Sequence, residues 1–198
     1  QANSANDDIS LILNEINSFI DSCCDNRRSL NSLMITLTSA PYGFRMGLIP
    51  FYLAYVLSER KEDIIAYFSG KEIQMNAEII VNMCEQCNDY ELYVASEDVQ
   101  KEKYISDLNV LFSVDEQRNL TSNRIKNIVL CMQRWFRALP QVSRNCIAIE
   151  DYALDVSVNM KSMKRILQKV DFNSYEILFV ELPKTFNSEK LQLSKNLL

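Results

Sequence analysis

The chain has 198 residues, 47% of them apolar and 24% charged, a composition typical of one globular domain or two small ones. Its net charge of −5 disfavours sequence-independent binding to nucleic acid, which depends on neutralising phosphates with Lys and Arg. The chain has no His, which removes the commonest general base and a usual ligand of zinc and iron.

The first part of the chain predicts three helices. Apolar residues at helical spacing predict a helix over residues 8–22, and a second helix begins near Ser29. Ser39–Gly47 is the segment richest in Gly and Pro, which predicts an ordered loop. The helix Leu48–Leu57 is apolar at almost every position, so we expect it to be buried on all sides.

Short strands and a further helix follow. Ile64–Phe68 and Glu72–Met75 predict a hairpin, Asn76 is a good cap for the next helix, and Tyr90–Val94 predicts a third strand. This order of helices and strands is that of a winged-helix unit with an extended wing, which we place at residues 8–97.

The second half predicts a helical bundle over residues 98–198. The fold class is therefore mainly α with a small β-hairpin or wing, in which a winged-helix-like N-terminal unit precedes a helical bundle. A helix-like segment at the C-terminus and the residue at position 1, which is not Met, suggest a module excised from a larger protein. The helices predicted in the bundle are Val99–Phe112, Thr121–Leu139, Glu150–Val170 and Asn173–Val180, the last of them ending at Leu182-Pro183, followed by the helix-like segment Ser188–Leu198.

The third helix bears on nucleic-acid binding. In folds of this kind it enters the major groove and presents polar and basic residues to the bases. Here Leu48–Leu57 offers only two Tyr hydroxyls and precedes Glu59. We therefore expect a packing or protein-contact role, with a winged-helix DNA-binding domain of a regulatory or defence protein as the alternative.

Basic residues surround the single Trp of the chain. Arg134 and Arg137 lie close to one face of the predicted helix that carries Trp135. A basic surface with an aromatic residue is a candidate contact surface for a protein. The alternatives are a solvated helix face with Trp135 in the core and, less in keeping with the net charge, nucleic-acid binding.

The six Cys favour structural roles in a reducing, cytoplasmic setting. Cys84 and Cys87 form a CxxC, but the second pair of a zinc site and the βαβ context of a thioredoxin-like site are missing. The three Gly have no nucleotide-binding spacing, and no apolar stretch reaches 18 residues. We expect no cofactor, no metal, no catalytic residue and no membrane span, with an enzyme that uses Cys or Asp/Glu as an alternative.

Three stretches together carry a resemblance to a family. They are Ala40–Pro50 with its following apolar helix and the Tyr67–Gly70 turn, then Met132–Pro140, then Ile177–Pro183. In this order they resemble the region after the P-loop core of very large bacterial ATPases from phage-defence and restriction-associated operons, similar to the BREX-type ATPases. The resemblance implies a module attached to a nucleotide-driven motor, with ATP handled elsewhere in the parent protein.

In the context that this resemblance implies, the loop before the apolar helix is a candidate contact. Pro41 and Gly43 fix a turn, Tyr42 and Phe44 can anchor it, and Arg45 is left to point outward. Arg45 could sense a phosphate or an acidic partner on a neighbouring ATPase domain. The alternative is a structural helix entry with a surface Arg.

Together these features predict a non-catalytic accessory or interaction domain of a larger intracellular ATP-binding protein. Its partners would be other domains of the parent protein or a separate protein. The residues predicted to form the contact surface are Tyr42, Phe44, Arg45, Arg134 and Arg137.

Overall fold

The computed structural model of the chain describes residues 2–24, 26–95, 99–114, 123–145 and 156–186. The chain divides into two compact units, which we call the N-terminal unit, residues 1–96, and the C-terminal unit, residues 97–198. The described residues are mostly helical, with one small antiparallel sheet.

The N-terminal unit contains four helices and four strands. In the described part of this unit, the helices are α1 (Ala2–Ser22), α2 (Asn31–Thr38), α3 (Ile49–Glu59) and α4 (Ala77–Glu85), and the strands are β1 (Arg28–Ser29), β2 (Ile64–Phe68), β3 (Lys71–Ile73) and β4 (Tyr90–Val94). The predicted helices, the hairpin and the Tyr90–Val94 strand are thus confirmed, whereas β1 was missed.

The sheet has the order β1-β4-β2-β3, and all its neighbours are antiparallel. The hairpin turn between β2 and β3 uses Ser69 and Gly70, both with positive φ, as a type I′ turn requires. Ile64 pairs with Val94 and Ala66 with Leu92, and these side chains are buried against the helices. The sheet therefore closes one side of an apolar core formed with α1, α2 and α3.

The prediction that the third helix is buried on all sides is wrong. Ile49, Leu53 and Val56 of α3 lie in the core, but Phe51 is 72% exposed and Tyr55 is 55% exposed. The core covers only one face of α3, so the apolar residues of the opposite face remain in solvent. An unbroken apolar sequence has no polar positions that would mark which face is covered.

The C-terminal unit is built around α6, whose apolar stripe is buried against its neighbouring helices. Asn123 caps α6, because its side-chain oxygen accepts a hydrogen bond from the N–H of Lys126 at 2.9 Å. The described elements are α5 (Val99–Leu111), α6 (Arg124–Ala138), α7 (Gln141–Asn145), α8 (Val156–Leu167), α9 (Ser174–Glu176), a π-helical segment Ile177–Glu181, and α10 (Leu182–Thr185).

The prediction that the last bundle helix ends at Leu182-Pro183 is also wrong. The chain stays helical to Thr185, because Ile177–Glu181 widens into a π turn in which the N–H of Leu182 donates to the carbonyl of Ile177. Pro183 then occupies the first turn of α10, where a missing N–H is tolerated. Residues 150–155 of the predicted long helix, Thr121 at the start of another, and Ser188–Leu198 lie outside the described residues.

Candidate contact surfaces

The loop before α3 is held in place by its two aromatic residues, as the sequence predicts. The hydroxyl of Tyr42 donates to the Glu15 carboxylate at 3.0 Å, and this hydrogen bond raises the pKa of Tyr42. The ring of Phe44 meets Tyr52 edge-on at 5.2 Å between centroids. Gly43 adopts a φ of +53°, which L side chains rarely take, and Arg45 is exposed.

An apolar groove of about 470 Å³ lies between α3 and α4 of the N-terminal unit. Met46, Phe51 and Ala54 contribute to one wall, and Ile80, Val81 and Cys84 of α4 contribute to the other. Met46, Phe51 and Val81 are themselves exposed large apolar residues, so the groove presents a continuous apolar surface to solvent. Such a surface on a helix pair is typical of a site that binds another apolar surface.

The position of α4 creates this groove. Asn76 caps α4 by accepting a hydrogen bond from the N–H of Ile79 at 2.8 Å. Met83 and Cys84 lie on the inner face of the helix and are buried in the core. The outer stripe of α4 is left beside the exposed face of α3. Sequence reasoning missed this site, although the unbroken apolar run of α3 combined with an amphipathic α4 was the available signal.

The two helices beside the groove carry only acidic charges. Glu85 lines the groove, Glu78 is exposed in the first turn of α4, and Glu59 is exposed at the end of α3. The side chain of Tyr55 forms a hydrogen bond with Glu59, which raises the pKa of the Tyr55 phenol. Neither α3 nor α4 contains a Lys or Arg, so the two walls are apolar and negative.

The second predicted surface lies on α6 in the C-terminal unit. Arg134 and Arg137 are exposed, and Trp135 is 45% exposed with its ring edge-on to Phe112 at 5.7 Å between centroids. The alternative that placed Trp135 in the core is therefore wrong, because the ring packs along the edge of the helix stripe rather than within it. The five predicted contact residues thus divide between the units: Tyr42, Phe44 and Arg45 lie in the first, Arg134 and Arg137 in the second.

The described cysteines are free thiols. Burial raises the pKa of Cys23 and Cys84 to about 11, and burial also raises the pKa of Cys131. An activated cysteine nucleophile needs a depressed pKa, so these three shifts are opposite in direction to that requirement. Among the described residues, no group of three or more Cys, Asp or Glu is arranged to hold a metal ion.

Within the described ranges, no helix combines the length and the apolar character needed to cross a membrane. No family model matches the chain, and no curated protein and no solved structure is similar enough to it to count as a match.

Proposed function

We propose that this chain is a non-catalytic interaction domain whose N-terminal unit binds a protein surface through the groove between α3 and α4. The observation that carries the proposal is the exposure of Phe51 beside Met46 and Val81 in one apolar groove. Burying the exposed part of the Phe51 ring would contribute about 1 to 2 kcal/mol to binding. A ring exposed in this way is the kind of aromatic anchor that dominates protein interfaces.

The winged-helix-like part of the proposal is supported by the strand order. A winged helix places a short strand between its first two helices and pairs it with the strand that follows the wing. Here β1 lies between α1 and α2 and pairs with β4, and β4 pairs with β2. On this assignment α3 is the third helix, and β3 with α4 is an insertion in the wing.

The charge of α3 favours protein over DNA as the partner. A DNA-reading helix presents Arg, Lys, Asn or Gln to base edges and phosphates. The outer face of α3 presents Phe51 and Tyr55, and the only charged residue of the helix is Glu59. A carboxylate in that position repels the phosphate backbone.

The wider setting of the domain rests on the sequence resemblance alone. On that basis we place the chain in a larger ATP-binding protein of the phage-defence type, where other domains perform the chemistry. The proposed partner is another domain of that parent or a separate protein. The absence of His from the chain supports a non-catalytic role.

The experiment that tests the function compares two matched substitutions of exposed apolar residues. Phe51→Glu alters the groove, whereas Ile35→Glu alters an exposed apolar residue on α2 outside it. Tagged wild-type chain and both variants are incubated with extract of the source cells, and bound proteins are quantified by mass spectrometry. We expect proteins that bind wild type and Ile35→Glu but not Phe51→Glu.

Duplex DNA is the second arm of that experiment. We expect no retention of the chain on DNA at low ionic strength, since neither α3 nor α4 carries a cation. Retention that falls steeply with salt and is lost in Phe51→Glu would replace the protein-contact function with the DNA-binding alternative.

A further inference from the structure

The acidic residues of α4 have a regular spacing. Glu78 and Glu85 are seven residues apart on α4, so they lie on one stripe of the helix about 10 Å apart along its axis. Val81 lies between them on the same side. A binding partner therefore meets carboxylates at both ends of α4 and an apolar residue between them.

The cations nearest in sequence to the groove walls lie outside α3 and α4. Arg45 precedes the short 3₁₀ turn Met46–Leu48, outside both helices. Arg60 follows α3, and its guanidinium donates to the Asp21 carboxylate of α1 at 2.5 Å. Within α3 and α4 the charged residues are Glu59, Glu78 and Glu85, and Glu85 lines the groove.

The shape of the groove suits a helix. Its two walls are helices, and α4, with nine residues, is about 13 Å long, enough to face between two and three turns of a bound helix. Small residues line part of the groove, namely Gly47, Ala54 and Ala77, and these permit close approach of a partner. An amphipathic helix inserts its apolar stripe into such a groove and leaves its flanks at the rim.

We propose that the groove between α3 and α4 binds an amphipathic helix that carries Lys or Arg along the flanks of its apolar stripe. This inference rests on the proposed function and names the class of partner. The apolar stripe of the partner helix covers Phe51 and Val81. Its Lys or Arg residues, about one heptad apart, face Glu78 and Glu85. Charge complementarity at the rim selects the partner, and the apolar groove supplies most of the affinity.

The test uses three synthetic helical peptides of about 16 residues. The first has Leu along one face and Lys on both flanks, the second has Glu in place of every Lys, and the third is a scrambled version of the first. Binding to the full chain is measured by fluorescence anisotropy. We expect the Lys peptide to bind at least roughly tenfold more tightly than the Glu peptide. This difference in affinity should decrease at high salt.

Two substitutions show whether the peptide occupies the groove. A Cβ at position 47 would meet no atom within 4 Å, so the site accepts a larger residue. Because Gly47 lines the groove, we expect the side chain of Gly47→Leu to obstruct it, while Gly47→Ala is the conservative control. Circular dichroism verifies that both variants keep the wild-type fold. We expect Gly47→Leu to abolish binding of the Lys peptide and Gly47→Ala to retain it.

A charge reversal tests the rim. Glu85→Lys places a cation at the C-terminal end of α4, where the helix dipole tolerates it, and Glu62→Lys makes the same charge change at an exposed position outside the groove lining. We expect Glu85→Lys to lower the affinity for the Lys peptide roughly three- to tenfold and to raise the affinity for the Glu peptide. Glu62→Lys should leave the ratio between the two peptides nearly unchanged.

The outcomes separate this inference from the proposed function. Equal binding of the Lys and Glu peptides, or no binding of either while Phe51-dependent proteins are still captured from extract, overturns the basic-helix partner and leaves the contact function standing. If the extract contains no protein that binds wild type and Ile35→Glu but not Phe51→Glu, the proposed function itself is overturned. Binding of the Lys peptide that persists in Gly47→Leu overturns the assignment to the groove.

Discussion

The hydroxyl of Tyr104 donates a hydrogen bond to the carbonyl oxygen of Leu178 at 3.2 Å. In the π turn, this carbonyl would pair with the N–H of residue 183, five positions later, but residue 183 is proline and has no N–H. Tyr104 supplies the missing donor. Burial raises the pKa of Tyr104, so its hydroxyl stays protonated and able to donate.

We predict that Tyr104→Phe lowers the free energy of unfolding of the C-terminal unit by about 1 to 3 kcal/mol, because a buried carbonyl loses its partner. Trp135 is the only Trp and lies in this unit, so its fluorescence during denaturation reports on this unit. Tyr175→Phe is the control, since that residue is half-buried and its substitution should cost less.

The same pair of residues allows a double-mutant cycle. In Pro183→Ala the backbone N–H returns and can donate to the Leu178 carbonyl, so Tyr104→Phe should cost clearly less in that background. An equal cost of Tyr104→Phe in the wild-type chain and in the Pro183→Ala variant would contradict the assignment.

The wall of the groove formed by α4 depends on its cap. Asn76→Ala should destabilise α4 by about 1 kcal/mol, because the N–H of Ile79 loses its acceptor. Hydrogen exchange of the α4 amides measures this, and the same substitution at Asn88, an exposed residue in the turn before β4, is the matched control. Equal exchange in the two variants would show that the cap contributes nothing.

We predict slow alkylation of the buried cysteines. With a pKa of about 11, Cys23 and Cys84 are thiolate in only about one molecule in a thousand at pH 8, and their alkylation rates should still rise as the pH approaches 11. Because the folded pKa is raised, the stability gained by burying these neutral thiols is complete at neutral pH and is lost as the pH rises through about 11.

Mass spectrometry of the chain after timed alkylation checks this prediction. The half-buried Cys87 is the internal reference for access and should react faster than Cys84 at pH 8. If Cys84 reacts as fast as Cys87, the thiol is activated rather than suppressed.

Gly47 offers a prediction about stability rather than binding. Its φ is not in the left-handed region and its Cβ position is open, so Gly47→Ala should raise the free energy of unfolding of the N-terminal unit by about 0.4 to 1 kcal/mol through the unfolded state. Gly43→Ala should instead destabilise that unit, because position 43 has a φ of +53°. Hydrogen-exchange rates of the α3 amides compare the stability of the two variants. A higher free energy of unfolding in Gly43→Ala than in wild type would contradict the backbone argument.

Local signals explain what the sequence predicted. Asn76 precedes an amphipathic segment and caps α4 as predicted, because the cap acts within three residues. The hairpin of β2 and β3 depends on the adjacent Ser69 and Gly70. Interactions of this range can be inferred from the neighbouring residues alone.

The features that were missed depend on residues far apart in the chain. Strand β1 has two residues and exists because Arg28 and Ser29 pair with β4 more than 60 positions later. The helix continues through Pro183 because Tyr104 supplies a donor from α5. Phe51 is exposed because the core contacts the opposite face of α3, and no residue near Phe51 signals which face that is.

The central claim is that the face of α3 that carries Phe51 contacts a protein. A photoreactive phenylalanine at position 51 of this chain, irradiated in the cells that make the protein, tests this most directly, with the same residue at position 35 as the control. We predict a protein adduct at position 51 that is absent at position 35, attached to a helical segment with flanking Lys or Arg. Equal adducts at both positions, or an adduct to nucleic acid at position 51, would contradict the claim.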